Sequence, residues 1–163
     1  QYCVDIMPEN HSSVYLFMAK LQDIMNIGLI NCTKRKLDKP CPARELYTAS
    51  ALFRKARAYC ENHYETWYIL SAKHGLVHPD QILAPYDLTL KQLSVAEQRA
   101  WGKRVSEQLQ RLGEGHLFYA HAGQAYLQYL SGVQIINVLA GYSQGSRMHW
   151  YAEQAAKEGW RCP

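Results

Sequence analysis

Short apolar runs closed by polar residues alternate along this chain with longer segments of helical periodicity, and this alternation limits the fold more than any other feature. Met25–Asn31, Trp67–Ala72, His116–His121 and Val133–Leu139 are the strand-length runs. Ala43–His63 carries Leu46, Ala49, Leu52, Phe53, Ala56, Tyr59 and Cys60 at helical spacing, which predicts one long helix with a single apolar stripe. Ser94 with Glu97 three residues on marks a capping-box start for a helix that runs to about Leu112, ahead of Gly113. Gly123–Leu130 reads as a short helix, and Gly145–Lys157 as a closing helix stopped by Gly159. Lys73–Leu93, interrupted by Gly75, Pro79 and Pro85, reads as a long ordered loop.

Strands that alternate with helices pair in parallel, because each helix carries the chain back across the sheet. The expected fold is therefore α/β: a three-layer, doubly wound, mostly parallel sheet of about four strands with helices on both faces. With 163 residues, one domain is expected, over 18–163. Residues 1–17 contain no Lys or Arg and precede Met18, so they read as an extension outside the fold. Leaving them out raises the net charge from +4 to +6. No run approaches the ~18–20 apolar residues of a membrane span, so no membrane partner is expected. The five cysteines are widely spaced with no CxxC, which argues against a zinc ribbon or disulfide framework and for reduced thiols in a cytoplasmic protein. Neither a metal nor a cofactor is expected.

In a doubly wound sheet, ligands sit beyond the carboxyl ends of the strands. Four polar segments converge there: Cys32-Thr-Lys-Arg-Lys36, Ser71-Ala-Lys-His-Gly75, His121-Ala-Gly-Gln-Ala-Tyr126 and Gly141-Tyr-Ser-Gln-Gly145. Residues 34–57 hold Lys34, Arg35, Lys36, Lys39, Arg44, Arg54, Lys55 and Arg57 against only Asp38 and Glu45. Cations on a loop entering a helix suit phosphate, since free N–H groups and the helix dipole add to their charge. The alternative is a solvated basic face.

The second segment offers Ser71-x-Lys73 as a nucleophile pair and His74 as a general acid or base. Asp87, behind Pro85-Tyr86, would orient His74 or cap the backbone. Gly141-Tyr-Ser-Gln-Gly145 matches the hydrolase nucleophile elbow in form. The hydrolase fold draws its acid and histidine from later strands, whereas His149, Glu153 and Glu158 all lie in the next helix. Ser143 is therefore not read as a nucleophile. Gly123, Ser143 and Gly145 instead suit backbone approach to an anion, with Arg147 in support.

Leu29-Ile-Asn-Cys-Thr-Lys34, Ala43-Arg-Glu-Leu-Tyr-Thr48, Tyr68-Ile-Leu-Ser-Ala-Lys-His-Gly-Leu-Val77, Ala84-Pro-Tyr-Asp-Leu88 and Trp101-Gly102 together resemble the YaaA-like superfamily. That group includes the peroxide-stress protein YaaA and a smaller bacterial and phage domain family of unknown function. The likeness to the smaller family spans about residues 27–150. Relative to YaaA itself, Ala72-Lys-His-Gly75 replaces part of a serine-glycine-x-tyrosine-glycine turn. The resemblance implies DNA binding, a link to limiting oxidative DNA damage, and a pocket formed by Cys32, Lys34, Arg44, Tyr47, Ser71, Lys73, His74, Tyr86 and Asp87.

Two functions of different class follow. As a binding module, the protein would hold nucleic acid or a phosphate-bearing small molecule, with Lys34, Lys36, Arg44, Arg54 and Arg57 on phosphates and Thr33 beside the pocket. As an enzyme, it would cleave or transfer an N-glycosidic bond, with Asp87 or His74 activating water and lysine charge steadying the leaving group.

Overall fold

The computed structural model describes residues 24–163. The expected extension, residues 1–17, lies outside them. Strands β1 (Asn26–Asn31), β3 (Thr66–Ser71), β6 (Leu117–His121) and β7 (Gln134–Asn137) coincide with the four apolar runs and form a parallel array. A fifth strand, β4 (Gly75–Val77), runs antiparallel along the edge of β3, giving the order β4-β3-β1-β6-β7. The sheet has five strands where about four were expected, because β4 is too short to show a periodicity of its own.

Two further departures have different causes, one local and one long-range. The segment expected as one helix is two: α1 (Ala43–Leu46) and α2 (Ala51–His63). Thr48 Oγ1 donates to Glu45 O at 2.7 Å, while Ser50 Oγ accepts from Phe53 N at 3.4 Å. These hydroxyls close the first helix and cap the second, competing with the backbone bonds a continuous helix would need. Within the expected loop 73–93, β5 (Ile82–Leu83) pairs antiparallel with β2 (Cys41–Pro42), and a 3-10 turn follows at Leu90–Gln92. Ala43 N and Arg44 N donate to Gln81 O and Pro79 O, each at 2.8 Å, which binds the loop to the start of α1.

The remaining helices are α3 (Val95–Gln110), α4 (Gln124–Leu127) and α5 (Gln144–Glu158). Ser94 and Glu97 form the expected capping box, and Gly159, at φ +74°, ends α5 in the left-handed region. α2 and α5 pack together on one face of the sheet. Gly28 allows that approach, since a Cβ there would stand 2.7 Å from both Cys60 Sγ and the Tyr64 ring. Register puts Gly28 beside Trp67 and Tyr119, and Ile30 beside His121, so these side chains share that face. Buried under α2 and α5, His121 bonds Tyr64 OH through Nε2 and Tyr151 OH through Nδ1, each at 2.8 Å. Ile27, Leu29 and Asn31 face the other side, where α3 buries Trp101, Val105 and Leu109. There Trp101 meets the Tyr126 ring of α4 edge-on.

From β3 the chain crosses over β1 to enter β6, so the loops leaving β1 and β6 diverge. Such a reversal of strand order is where doubly wound sheets take ligands, at the carboxyl edge.

Candidate functional site

The β2–β5 ladder carries Tyr86 to the end of β3, and Tyr47 arrives there from the end of α1. Tyr86 OH shares one hydrogen bond of 2.8 Å with Tyr47 OH and another of 2.7 Å with Ser71 Oγ. Ser71 Oγ also accepts from His74 N at 3.0 Å, and Trp101 Nε1 donates to Ser71 O at 2.9 Å. Beside this chain, Cys32 Sγ accepts from Ala72 N at 3.4 Å and bonds Tyr126 OH at 3.3 Å. Ser71, Tyr47 and Cys32 are all buried. Burial pushes the Tyr47 phenol up to about 12 and raises Tyr86 and Tyr126 as well, so at neutral pH the cluster is a row of protonated hydroxyls.

Two ammonium groups close over it. Lys36 Nζ is 4.1 Å from the centre of the Tyr86 ring, and Lys73 Nζ is 5.7 Å from the same point. Lys36 is anchored by Thr33 O at 2.9 Å, with Lys34 O at 3.4 Å. Partial burial lowers its pKa, opposed by the negative fields of Cys32 and Asp87. Among the described residues, neither lysine forms an ion pair with a carboxylate. His74 packs its ring edge-on against Tyr86 at 5.3 Å. Desolvation lowers its pKa, with Lys73 and Arg104 adding to the effect, so it is neutral at pH 7.

The structure thus brings Cys32, Lys36, Tyr47, Ser71, Lys73, His74 and Tyr86 together. The Ser71 hydroxyl bonds Tyr86 and the His74 backbone, and no hydrogen bond joins it to Lys73. Asp87 is exposed and, among the described residues, its side chain bonds neither His74 nor a backbone amide. Lys34 is exposed beside the cluster. Thr33 and Arg147 line a separate cavity of about 20 Å³ with Ile30, His121 and Leu139, room for about one water. Gly123 N donates to Asn31 Oδ1 at 3.3 Å. Ser143 caps α5 by accepting from Ser146 N at 3.2 Å, and Gly145 is exposed on that first turn.

Three arginines of the basic run have partners elsewhere. Arg44 meets Asp80 at 2.6 Å, Arg57 meets Glu45 at 2.9 Å and Glu61 at 2.8 Å, and Arg54 donates to Thr48 O at 2.6 Å. Sequence reasoning brought the segment ending in Tyr126 to this edge without giving Tyr126 a role, and it missed Arg104. Nothing in a linear pattern singles out the Tyr126 hydroxyl as the partner of Cys32, or brings a guanidinium on α3 to the β3–β4 turn. Among the described residues, no group of three or more His, Cys, Asp or Glu could hold a metal ion. No described helix is long and apolar enough to cross a membrane.

The model of a family of unknown function matches residues 27–153 of this chain. The chain belongs to DUF6884. No curated protein matches it. The DUF6884 match extends from β1 well into α5, so every residue of the Tyr86 cluster falls inside the DUF6884 domain.

Proposed function

We propose that this protein binds the phosphate of a nucleotide or nucleic acid at the carboxyl edge of its sheet, over the Tyr86 ring. One observation carries the reading: Lys36 and Lys73 converge on a single ring, and neither meets a carboxylate among the described residues. Neither ammonium has a carboxylate to balance its charge, and an anion bound over the ring would supply that balance. The hydrogen-bonded row of buried Tyr47 and Ser71 with half-buried Tyr86 gives the lysines a rigid floor. The position beside the β1–β6 divergence is where doubly wound sheets take ligands. Exposed Lys34 extends the positive field outward. The motif likeness to the YaaA-like group supports DNA as the source of the phosphate. Free Cys32, Cys41, Cys60 and Cys162 fit a reducing compartment such as the cytoplasm.

Base-releasing chemistry is the second reading. A neutral His74 beside Tyr86, near an exposed Asp87, favours it. An imidazole free of its proton can accept one from water, and Asp87 can take up position once substrate is bound.

The test is the salt dependence of binding to a fluorescent single-stranded oligonucleotide. Each phosphate neutralised should contribute about 0.7 to the log–log slope. Changing Lys36 and Lys73 together to alanine should flatten the slope by one to two contacts, and Arg57→Ala should leave it unchanged. A double variant with the native slope would remove the phosphate assignment. Release of free base by the native protein, abolished in His74→Ala, would move the enzymatic reading to the front.

A further inference from the structure

One cation near this site belongs to neither the basic run nor any hydrogen bond or ion pair among the described residues. Arg104 sits on α3, which lies against β4, where Gln108 Oε1 accepts from Leu76 N at 3.0 Å. One helical turn before Gln108, Arg104 leans on the same hairpin, so that a Cβ added at Gly75 would stand 3.3 Å from its Nε. Gly75 itself takes φ +74°, the tight turn that places Lys73 and His74 at the hairpin tip. Lys73 and Gly75 border His74 in the chain, and Arg104 lies against Gly75, so the three charged or titratable groups meet at that tip. Arg104 is exposed, so its guanidinium is open to an incoming ligand.

The positive groups therefore come in two sets on a fixed backbone. Lys36 and Lys73 each approach the Tyr86 ring, while Arg104 lies against the β3–β4 turn at Gly75. A single phosphate over Tyr86 leaves the guanidinium unused. A planar guanidinium presents paired N–H donors that match two oxygens of a second phosphate.

We propose that the ligand carries at least two linked phosphates, the first held by Lys36 and Lys73 and the second by Arg104. This deepens the phosphate reading above and rests on it. Linked phosphates occur in a nucleoside diphosphate and in a nucleic-acid backbone alike, and the experiment separates the two sources.

Calorimetric titration of the full chain at low salt would use orthophosphate, pyrophosphate and a single-stranded deoxythymidine octamer. Native protein should bind pyrophosphate at least tenfold more tightly than orthophosphate. Arg104→Gln, an exposed substitution whose fold is checked by its melting curve, should bring pyrophosphate down to the orthophosphate level and leave orthophosphate unchanged. An octamer that binds more tightly than pyrophosphate, and weakens in Arg104→Gln, assigns the phosphates to a backbone. A preference for pyrophosphate assigns them to a nucleotide, and either result sustains the proposal. Equal affinity for the two inorganic anions, or pyrophosphate binding untouched by Arg104→Gln, overturns it. Lys36→Ala with undiminished orthophosphate binding would instead overturn the underlying phosphate site, so the two failures are distinct.

Discussion

The phenol oxygen of Tyr86 lies 2.7 Å from Ser71 Oγ, and this bond ties the loop after β5 to the last residue of β3. Through it, and through Tyr47 at 2.8 Å on the other side, one hydroxyl joins three chain segments. Tyr86→Phe keeps the ring under Lys36 and removes that hydroxyl, leaving the fully buried Tyr47 phenol without its partner. An unsatisfied buried hydroxyl costs about 1–3 kcal/mol. The variant should melt several degrees lower and still bind anions within a few-fold of native. Loss of binding with an unchanged melt would show that the hydroxyl touches ligand.

Asp87→Asn should act in the opposite sense. The Asp87 carboxylate is exposed and makes no hydrogen bond among the described residues, but its charge attracts Lys36. Removing that charge should leave the melting temperature within about a degree and tighten phosphate binding up to a few-fold. A clearly lower melting temperature would mean that Asp87 supports the turn after all.

His121 makes stability depend on pH. Wedged between Tyr64 and Tyr151, the imidazole is neutral: one ring nitrogen accepts from a tyrosine and the other donates. Desolvation, assisted by His63 and Arg147, lowers its pKa from 6.5 to about 3. The unfolded chain therefore binds more protons than the folded one between these values. The stability contributed by neutral His121 is complete above about pH 6.5 and falls as pH drops toward 3, by up to about 1.4 kcal/mol per unit. Urea unfolding at pH 7.5, 6.5 and 5.5 should show this decline. His121→Gln should be less stable at pH 7.5 but lose less on acidification. An equal decline in both proteins would place the titration elsewhere.

Gly102→Ala sets two effects against each other. In the interior of an exposed helix the change gains about 1 kcal/mol. Here the new Cβ would stand 2.4 Å from the backbone oxygen of Tyr129, which cannot move aside as a side chain can. Overpacking of this kind costs about 1–3 kcal/mol or more. The net effect should be destabilising, read as a lower denaturant midpoint with an unchanged slope. A more stable variant would mean that the segment after α4 yields freely.

The main architecture was legible in the sequence because the central parallel strands β1, β3 and β6 are largely buried and must be short apolar runs. Gly28–Ile30, Ile69–Leu70 and Phe118–Ala120 had no other role open to them. The start of α3 was legible too, since Ser94 and Glu97 form the cap within four residues. Local chemistry suffices for such features.

The break between α1 and α2, the two-residue strands β2 and β5, and the edge strand β4 were not legible. Strands of two or three residues have no periodicity: β2 and β5 are held by each other across a long stretch of chain, and β4 by its hairpin pairing with β3.

The candidate site divides in the same way. Sequence by itself determined which segments end at the carboxyl edge of the sheet, because strand direction and chain order are one-dimensional facts. Only the tertiary structure decided which cations lack acidic partners there. Arg44 and Arg57 lie close in sequence to the Lys36 loop yet meet Asp80, Glu45 and Glu61, while Lys36 and Lys73, 37 positions apart, both approach the ring of Tyr86. Charge pairing follows distances of a few ångströms across the fold, and spacing along the chain carries no record of those distances.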